Sequence, residues 1–459
     1  MTPISDALVL VLDEGSPLSE LDRGGVFGRR SSLWKALGER HGRLVLVSHD
    51  RGEAVASAKS LAGSIGAECV CDEQGTYAHE HMDRAAIRVA KLLKGCESVV
   101  VQTVGLMASP TAVAVASELS RGGCRVALVA EAEDLWSRQS IGEFGPTSRA
   151  ALKAAFREQL ACTSAHVVLA GCGPVADDLV WRFNLSADRV RVVPLPVVEP
   201  GRSVPAEARE KCLVLAFGPA THRARLEIAV EAVAMLRRAD CPDARLKVLL
   251  GGPEASGLMA RAESLNVPLE IVGNPTADEV DSALSRCTVL VHTSTSETNP
   301  YGVFRAMAVG TPVLLAVDPL CALEVVHGVS GLRMPAEPEA LERALAGLLV
   351  DAPWRDSLGG AGRERVAQER GVRVACEAIL AAQAFALDVA ARAGRGVCPQ
   401  MVLASEGLAE LGPQESAQAW ARAIAEFLGR VGDNRPAYAS ALAGALGGLN
   451  GPARSAPAA

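Results

Sequence analysis

Aromatic residues are scarce in this sequence, since Trp, Tyr and Phe together make up 3% of its 459 residues. Surfaces that stack nucleic-acid bases or long polysaccharides need several such rings, so the composition disfavours both kinds of surface. The formal net charge of −7 also argues against non-specific binding to phosphate backbones. We therefore expect no nucleic-acid partner.

The cysteine pattern lacks the spacing of a metal site or of a disulfide framework. None of the twelve cysteines forms a C-x-x-C pair, and the close pair Cys69-Val70-Cys71 has no histidine at a metal-site spacing. Residues 1–15 carry Asp6, Asp13 and Glu14 and lack a basic start, so we expect no signal peptide. The pattern predicts buried, reduced thiols in a cytoplasmic protein.

One uncharged stretch, residues 98–117, is long enough to span a bilayer. Its middle, however, holds Gln102, Gly105, Ser109 and Pro110, which favour a strand, a turn and a helix. We expect a buried α/β segment there.

Apolar runs alternate with amphipathic segments over most of the chain, which is typical of parallel sheets covered by helices. One series begins at Ala7–Leu12 and ends near Val193, and a second begins at Cys212–Phe217, after the proline-rich residues 194–205. The sequence therefore predicts an α/β fold with two doubly wound domains. The match G-x-G-x-x-A at residues 171–176 lies mid-chain and is a weak dinucleotide signal.

The stretch from Thr288 to Pro312 combines the features of a ligand site. An apolar strand, Thr288–Val291, leads into a Ser/Thr-rich loop and then into a helix with Pro300 at its first position and Asn299 as a cap. Open α/β sheets bind ligands at the carboxyl ends of their strands, and the free N–H groups of a helix start favour an anion. Glu297 stands just before that helix start.

This stretch resembles the donor-site segment of the retaining GT-B glycosyltransferases of group 1. The family pattern is Glu, seven residues, Glu-Ala-Met-Ala and then Gly-x-Pro. Glu297, Ala306-Met307-Ala308 and Gly310-Thr311-Pro312 fit it, whereas Arg305 stands at the second glutamate. The resemblance covers roughly residues 5–390. It implies the GT-B architecture, two Rossmann-like domains that face a cleft.

The resemblance divides the chain up to residue 392 into three parts, and a fourth part follows them. Residues 1–202 are the acceptor domain, residues 203–375 the donor domain, and residues 376–392 a helix that crosses back to the first domain. Residues 393–459 are an extension beyond the resemblance, with a helix expected at Ser416–Leu428 and disorder over 444–459 from composition.

The resemblance also implies a binding site for a nucleotide-diphosphate sugar of the UDP or GDP type, with Glu297 as the catalytic residue. In the family an Arg and a Lys bind the diphosphate. Pro219 and Ala224 stand at those two positions here, and Arg223 and Arg225 flank Ala224. Arg305 has no acceptor for ribose hydroxyls and is expected to meet a phosphate instead. The residues predicted to bind the donor are Gly218, Arg223, Arg225, Ser296, Asn299, Tyr301, Gly302 and Arg305.

The acceptor is expected in the first domain, near the Gly24-Gly25 loop and the acidic segment with Glu133 and Trp136. An ordinary turn and a solvated acidic loop are the alternative interpretations of these two segments. The acceptor class stays open between a glycan, a lipid and a small molecule, as do peripheral membrane association and a homo-oligomer.

The predicted activity is transfer of a hexose with retention, without a metal or other cofactor, in glycan biosynthesis. No Asp-x-Asp motif occurs in the cleft segments. The alternative is a GT-B protein without catalysis that acts as a binding or assembly partner through residues 393–459. Arg305, Pro219 and Ala224 are the positions that keep this alternative open.

Overall fold

The computed structural model describes residues 3–13, 16–23, 26–72, 78–133, 135–145, 148–194, 196–197, 209–239, 241–294, 300–316 and 325–392. The expected pair of doubly wound α/β domains is confirmed. The predictions for Gly24, Gly25, Ser296, Glu297, Asn299 and the extension 393–459 lie outside the described residues.

The first domain is built on a seven-stranded parallel sheet in the order β3-β2-β1-β4-β5-β6-β7. Its strands are β1 Ala7–Leu12, β2 Leu44–Arg51, β3 Glu68–Asp72, β4 Ser98–Val104, β5 Arg125–Ala132, β6 Val167–Ala170 and β7 Val190–Val192. Its helices are α1 Leu18–Arg23, α2 Val26–Gly38, α3 Ala54–Ser64, α4 Ala78–Leu92, α5 Ser109–Arg121, α6 Trp136–Phe144, α7 Arg149–Ser164 and α8 Gly173–Phe183.

Both faces of this sheet are covered, as β1 demonstrates. Alternate side chains of a strand point to opposite faces. Ala7, Val9 and Val11 pack into one apolar cluster, whereas Leu8 and Leu10 pack into the other. Burial on both sides explains why the strand is apolar throughout and does not alternate with polar residues.

The second domain has a six-stranded parallel sheet in the order β10-β9-β8-β11-β12-β13. Its strands are β8 Leu213–Phe217, β9 Arg245–Leu249, β10 Leu269–Val272, β11 Val289–His292, β12 Val313–Ala316 and β13 Leu332–Met334. Its helices are α9 Leu226–Ala239, α10 Ala255–Ser264, α11 Ala277–Arg286, α12 Tyr301–Ala308, α13 Pro338–Val350 and α14 Ala352–Glu369.

The last described helix, α15 Val372–Arg392, lies against the first sheet. Ala375, Ile379, Ala382 and Ala386 form its buried stripe, at the three- and four-residue spacing of one helix face. The stretch Ala352–Arg392 contains an apolar window that is long enough to cross a membrane by composition, but half of that window is buried in the protein. The apolar character of α15 is therefore used in covering the first sheet.

The chain passes between the domains at two neighbouring points. The backbone N–H of Val197, after the first domain, donates a hydrogen bond of 2.9 Å to the carbonyl of Arg370 at the end of α14. Arg370 is buried and its guanidinium lies 3.6 Å from the centre of the Phe304 ring. The two passages are thus tied to each other and to α12.

Candidate functional site

At the carboxyl edge of the second sheet, glycines allow segments of the chain to pack closely against one another. Gly218 follows β8 with a φ of 142°, a conformation that side chains disfavour. Gly252 follows β9 and lies so close to the backbone of Ala220 that a Cβ would overlap it. A Cβ on Gly302, at the start of α12, would likewise overlap the ring of Phe217. These three glycines bring the loops after β8 and β9 and the start of α12 together.

The loop after β8 continues into a short 3-10 turn, His222–Ala224. The hydroxyl of Thr293, just past β11, donates to the carbonyl of Ala224 at 2.6 Å. Ala224 itself is buried in the apolar cluster of the domain. The position that the resemblance assigns to a diphosphate-binding lysine therefore holds a core residue, which leaves no free space for a long charged side chain.

The two arginines of this loop have different surroundings. Arg225 adopts a φ of 50°, and its guanidinium donates to the carbonyl of Ala336 at 3.4 Å. The backbone N–H of Arg223 donates to the Glu143 carboxylate of α6, in the first domain, at 3.3 Å. Arg223 thus lies where the two domains meet across the cleft.

Helix α12 begins at Tyr301, with Pro300 as the residue before it, rather than at Pro300 as the sequence suggested. The Nε of Arg305 lies 2.8 Å from an oxygen of Asp281 on α11, and its guanidinium lies 5.8 Å from the Tyr301 ring. The Arg305 side chain is only 14% exposed. It therefore ties two helices together at the rim of the predicted donor site.

Ser294 lies two residues past the end of β11, next to the predicted donor loop. It is buried, and within the described part of the chain its hydroxyl makes no hydrogen bond. A buried hydroxyl without a partner is costly, so a ligand or loop atom is expected to meet it.

The carboxyl edge of the first sheet carries a different arrangement, which we call the Arg30 cluster: Arg30, Gln102, Glu131, Glu133 and Gln383. Arg30 of α2 donates to Glu131 of β5 at 2.9 Å and pairs with Glu133. The amide of Gln102 on β4 donates to the other oxygen of Glu131 at 3.1 Å. Glu133 is the most exposed of the three charged groups, at 13%. The predicted acceptor residue Glu133 is therefore held in place by a buried arginine.

A chain of hydrogen bonds extends the Arg30 cluster through α15. Gln383 donates to Gln102 at 2.8 Å, and its own oxygen lies 3.0 Å from Nε2 of His41. Because an amide oxygen only accepts, Nε2 of His41 carries a proton. Nδ1 of the same ring lies 2.7 Å from the hydroxyl of Ser5. Burial lowers the pKa of His41, the bond to Gln383 opposes that shift, and Arg40 adds to it.

Trp136, the other acceptor residue predicted from the sequence, opens α6 and is 43% exposed. Ile141 and Phe144 of the same helix are also exposed, Phe144 to 65%. The helix is anchored from beneath, where Ser137 donates to the buried carboxylate of Glu158. Burial raises the pKa of Glu158, and the nearby Arg182 opposes that shift. Apolar rings in α6 thus face solvent beside the cleft.

Sequence reasoning missed Arg30, Gln102 and Gln383. Gln383 falls on the buried stripe of α15, and Gln102 interrupts an apolar strand. A polar residue at an apolar position normally has a buried partner, so these two positions were detectable. Arg30 lies among polar residues of the sequence and gave no such signal. The described residues contain no group of three His, Cys, Asp or Glu side chains suited to a metal ion.

Residues 200–365 match the family Glycosyl transferases group 1. No curated protein sequence matches the chain.

Solved structures of similar fold cover both domains. HepE from Anabaena, crystallised with UDP and glucose, superposes with a TM-score of 0.63 at 16% identity, over 81% of this chain and 98% of HepE. Sucrose-phosphate synthase from Thermosynechococcus elongatus gives 0.63 at 17% identity, over 82% and 97%. The lipopolysaccharide outer core galactosyltransferase WaaB gives 0.59 at 13% identity, over 82% and 98%. At such identities the likeness establishes the fold, which is GT-B.

Proposed function

We propose that this chain, a GT-B protein whose residues 200–365 belong to the group 1 glycosyltransferases, transfers a hexose from a nucleotide-diphosphate sugar to an acceptor with retention and without a metal. The observation that carries the proposal is the family match over the donor domain together with the close-packed glycine loops at its sheet edge. Neighbouring structures such as HepE hold UDP, which supports a uridine nucleotide as the first donor to test.

In this proposal the second domain binds the donor. The start of α12 offers backbone N–H groups to the phosphates, and Arg223 of the loop Gly218–Arg225 offers a cation. Positive charge at that edge would stabilise the leaving diphosphate as the glycosidic bond to it breaks. Glu297, outside the described residues, keeps its predicted role toward the donor sugar. Arg305 is engaged with Asp281, so we assign it a supporting role in place of the phosphate contact expected from the sequence.

The first domain binds the acceptor in this proposal. Glu133 is the ionisable group of the Arg30 cluster that reaches the cleft, and a carboxylate can accept a hydrogen bond from an acceptor hydroxyl. The exposed rings of Trp136 and Phe144 provide an apolar surface beside it. The cluster contains two carboxylates and one guanidinium, so this edge is acidic, in contrast to the donor side.

The proposal is tested by calorimetry of the full chain with UDP and with GDP, followed by an assay of hexose release from the matching nucleotide sugar. Arg223→Gln should weaken nucleotide binding by roughly ten-fold, the loss of one charge-assisted hydrogen bond. Arg261→Gln, which removes a charge paired with Glu231 on the outer helices, is the matched control and should leave binding unchanged. An α-linked product from an α-linked donor, read by NMR, tests retention.

A second candidate is a GT-B protein without catalysis that serves as a binding partner. It is favoured by three observations: Ala224 is a core residue, Arg225 donates to Ala336, and Arg305 pairs with Asp281. This candidate predicts no calorimetric signal with UDP or GDP at millimolar concentration. Binding of either nucleotide together with hexose release excludes it, whereas absence of both contradicts the transferase proposal.

A further inference from the structure

Two cysteines of the second domain lie in contact although 28 residues separate them in the sequence. Cys212 precedes β8 and Cys241 follows α9, and their sulfur atoms are 2.9 Å apart. Both side chains are partly exposed to solvent. A small reagent can therefore reach a pair of sulfurs that already touch.

The backbone on each side holds the pair in this position. The carbonyl of Cys212 accepts a hydrogen bond of 3.0 Å from Arg245, at the start of β9. The N–H of Cys241 donates to Leu236 and its carbonyl accepts from Ala244, both at 3.0 Å. Disulfide sulfurs lie about 2.05 Å apart, so closure needs an approach of less than 1 Å from 2.9 Å, within the reach of side-chain rotation.

We propose that Cys212 and Cys241 form a redox modification site, a dithiol that a small-molecule disulfide of the glutathione class converts into an intramolecular disulfide. Such disulfides in proteins of reducing compartments are usually transient and reversible. The site lies at the amino ends of the strands, away from the predicted donor and acceptor edges, and does not depend on the proposed activity.

The reaction proceeds in two balanced exchange steps. The Cys241 thiolate attacks one sulfur of the glutathione disulfide, whose S–S bond breaks and releases one glutathione thiolate. Cys212 then loses its proton and attacks Sγ of Cys241, which releases the second glutathione. The two protein thiols are oxidised by two electrons, and one glutathione disulfide is reduced to two thiols.

The surroundings of Cys212 favour this order of attack. Burial raises the pKa of Cys212 to about 11, and the neighbouring sulfur of Cys241 adds to that shift, so Cys212 is a poor first nucleophile at neutral pH. Once Cys241 is capped by glutathione, its hydrogen bond and its charge no longer act on Cys212. The second attack therefore becomes easier after the first.

The other close cysteine pair provides an internal comparison. Cys69 and Cys71 lie two residues apart on β3, with their sulfurs at 3.3 Å. Strand geometry sets Cα atoms two residues apart at about 6.6 Å, near the upper limit for a disulfide. Pairing of Cys69 with Leu46 on β2 holds the strand extended. We therefore expect this pair to stay reduced under conditions that oxidise Cys212 and Cys241.

A disulfide at this site would enclose β8, the loop Gly218–Arg225 and α9. Closing such a ring restricts the unfolded chain, which should raise the melting temperature of the full chain by roughly 5 °C. Reduction should reverse the shift. The site would therefore couple the stability of the unit that carries the predicted donor loop to the thiol–disulfide balance.

The experiment exposes the full chain to glutathione disulfide, alkylates the remaining thiols and maps tryptic peptides by mass spectrometry. The expected result is a cross-link between residues 212–223 and 239–245 that dithiothreitol removes, together with the rise in melting temperature. Cys212→Ser and Cys241→Ser should each abolish both and leave a stable mixed disulfide on the remaining cysteine. Cys69→Ser is the matched control and should change neither.

Two outcomes overturn the inference. One is wild-type protein in which both cysteines end as mixed disulfides or as alkylated thiols without the cross-linked peptide. The other is a loss of two hydrogens confined to the single peptide that holds Cys69 and Cys71. Because the cross-link is read on wild-type protein, a serine variant that does not fold leaves the test intact. Nucleotide binding is not part of the readout, so the outcome is separate from that of the transferase proposal.

Discussion

The carboxyl edges of the two sheets, which face the cleft, are held together by different kinds of contact. The first-domain edge is held by charged and polar side chains, the Arg30 cluster, which join α2, two strands and α15. The second-domain edge is held by close backbone contacts at Gly218, Gly252 and Gly302. A paired cluster keeps its own side chains in place, whereas glycines without a Cβ let segments of backbone, or a ligand, approach closely. Under our proposal the first edge serves the acceptor and the second edge serves the phosphates of the donor.

The largest expected effect tests the first-domain edge. Arg30→Met should lower the free energy of unfolding by about 3–5 kcal/mol, because Glu131 and Glu133 would lose the cation that compensates them in a buried site. Urea unfolding followed by circular dichroism measures the change. Arg121→Met is the matched control, since its exposed pair with Glu118 should be worth less than about 1 kcal/mol. Equal losses in the two variants would mean that the Arg30 cluster is not a buried network.

The second effect tests the glycine contacts of the other edge. Gly302→Ala should cost about 1–3 kcal/mol, since the added Cβ would overlap the Phe217 ring and force the start of α12 away from β8. The same change at Gly257, in α10, has nothing within 4 Å and should be neutral or stabilising by up to about 1 kcal/mol. Urea unfolding of the two variants measures the change in the free energy of unfolding. No change in Gly302→Ala would refute close packing at this edge.

A third, smaller effect is a pH dependence of stability that arises at the first-domain edge, from His41. Burial depresses the pKa of His41 in the folded state below the ordinary value of 6.5. A depressed histidine pKa means that the unfolded chain binds the proton first, so stability falls as pH drops below about 6.5 towards the folded pKa. The loss at pH 5 should be at most about 2 kcal/mol.

His41→Asn is the variant that checks this pH dependence. The difference in unfolding free energy between wild type and variant should shrink as pH falls from 7 to 5. Taking the difference removes contributions from His166, whose pKa is also lowered by burial, and from Glu158, whose pKa is raised. A constant difference for His41→Asn would mean that burial does not lower the pKa of the His41 ring.

Much of the fold was predictable because the relevant signals are local. The strand β1 was expected at Ala7–Leu12 and lies there, since both faces are buried and the run is apolar throughout. Boundaries set by tertiary contacts were not predictable. Strand β2 continues past its apolar run, residues 44–47, to Arg51. Near that end the buried Asp50 accepts hydrogen bonds from the backbone of Leu18 and Ser19.

The sequence was sufficient to locate the segments of the predicted donor site, but not to identify the partners of their side chains. A pattern of residue types located the loop after β8 and the start of α12, but the partners of Arg225 and Arg305 lie 111 and 24 residues away along the chain (336 − 225 and 305 − 281). Only the folded chain brings them together. The Arg30 cluster joins positions as distant as 102 and 383, which no local spacing could indicate.

The smallest expected effect decides what Arg305 does at the second-domain edge. If its main partner is Asp281, then Arg305→Met and Asp281→Asn should each cost less than about 1 kcal/mol of stability, because the pair is partly exposed. The double variant should cost less than the sum, since one interaction is lost in all three. Binding of UDP, measured by calorimetry, should then change less than about two-fold, which corresponds to roughly 0.4 kcal/mol. A ten-fold loss of UDP affinity in Arg305→Met, with Asp281→Asn unaffected, would instead assign Arg305 to the diphosphate. In that case Arg305 leaves Asp281 when the nucleotide binds. The second-domain edge would then also use a charged side chain, and the two edges would no longer differ in the way described above.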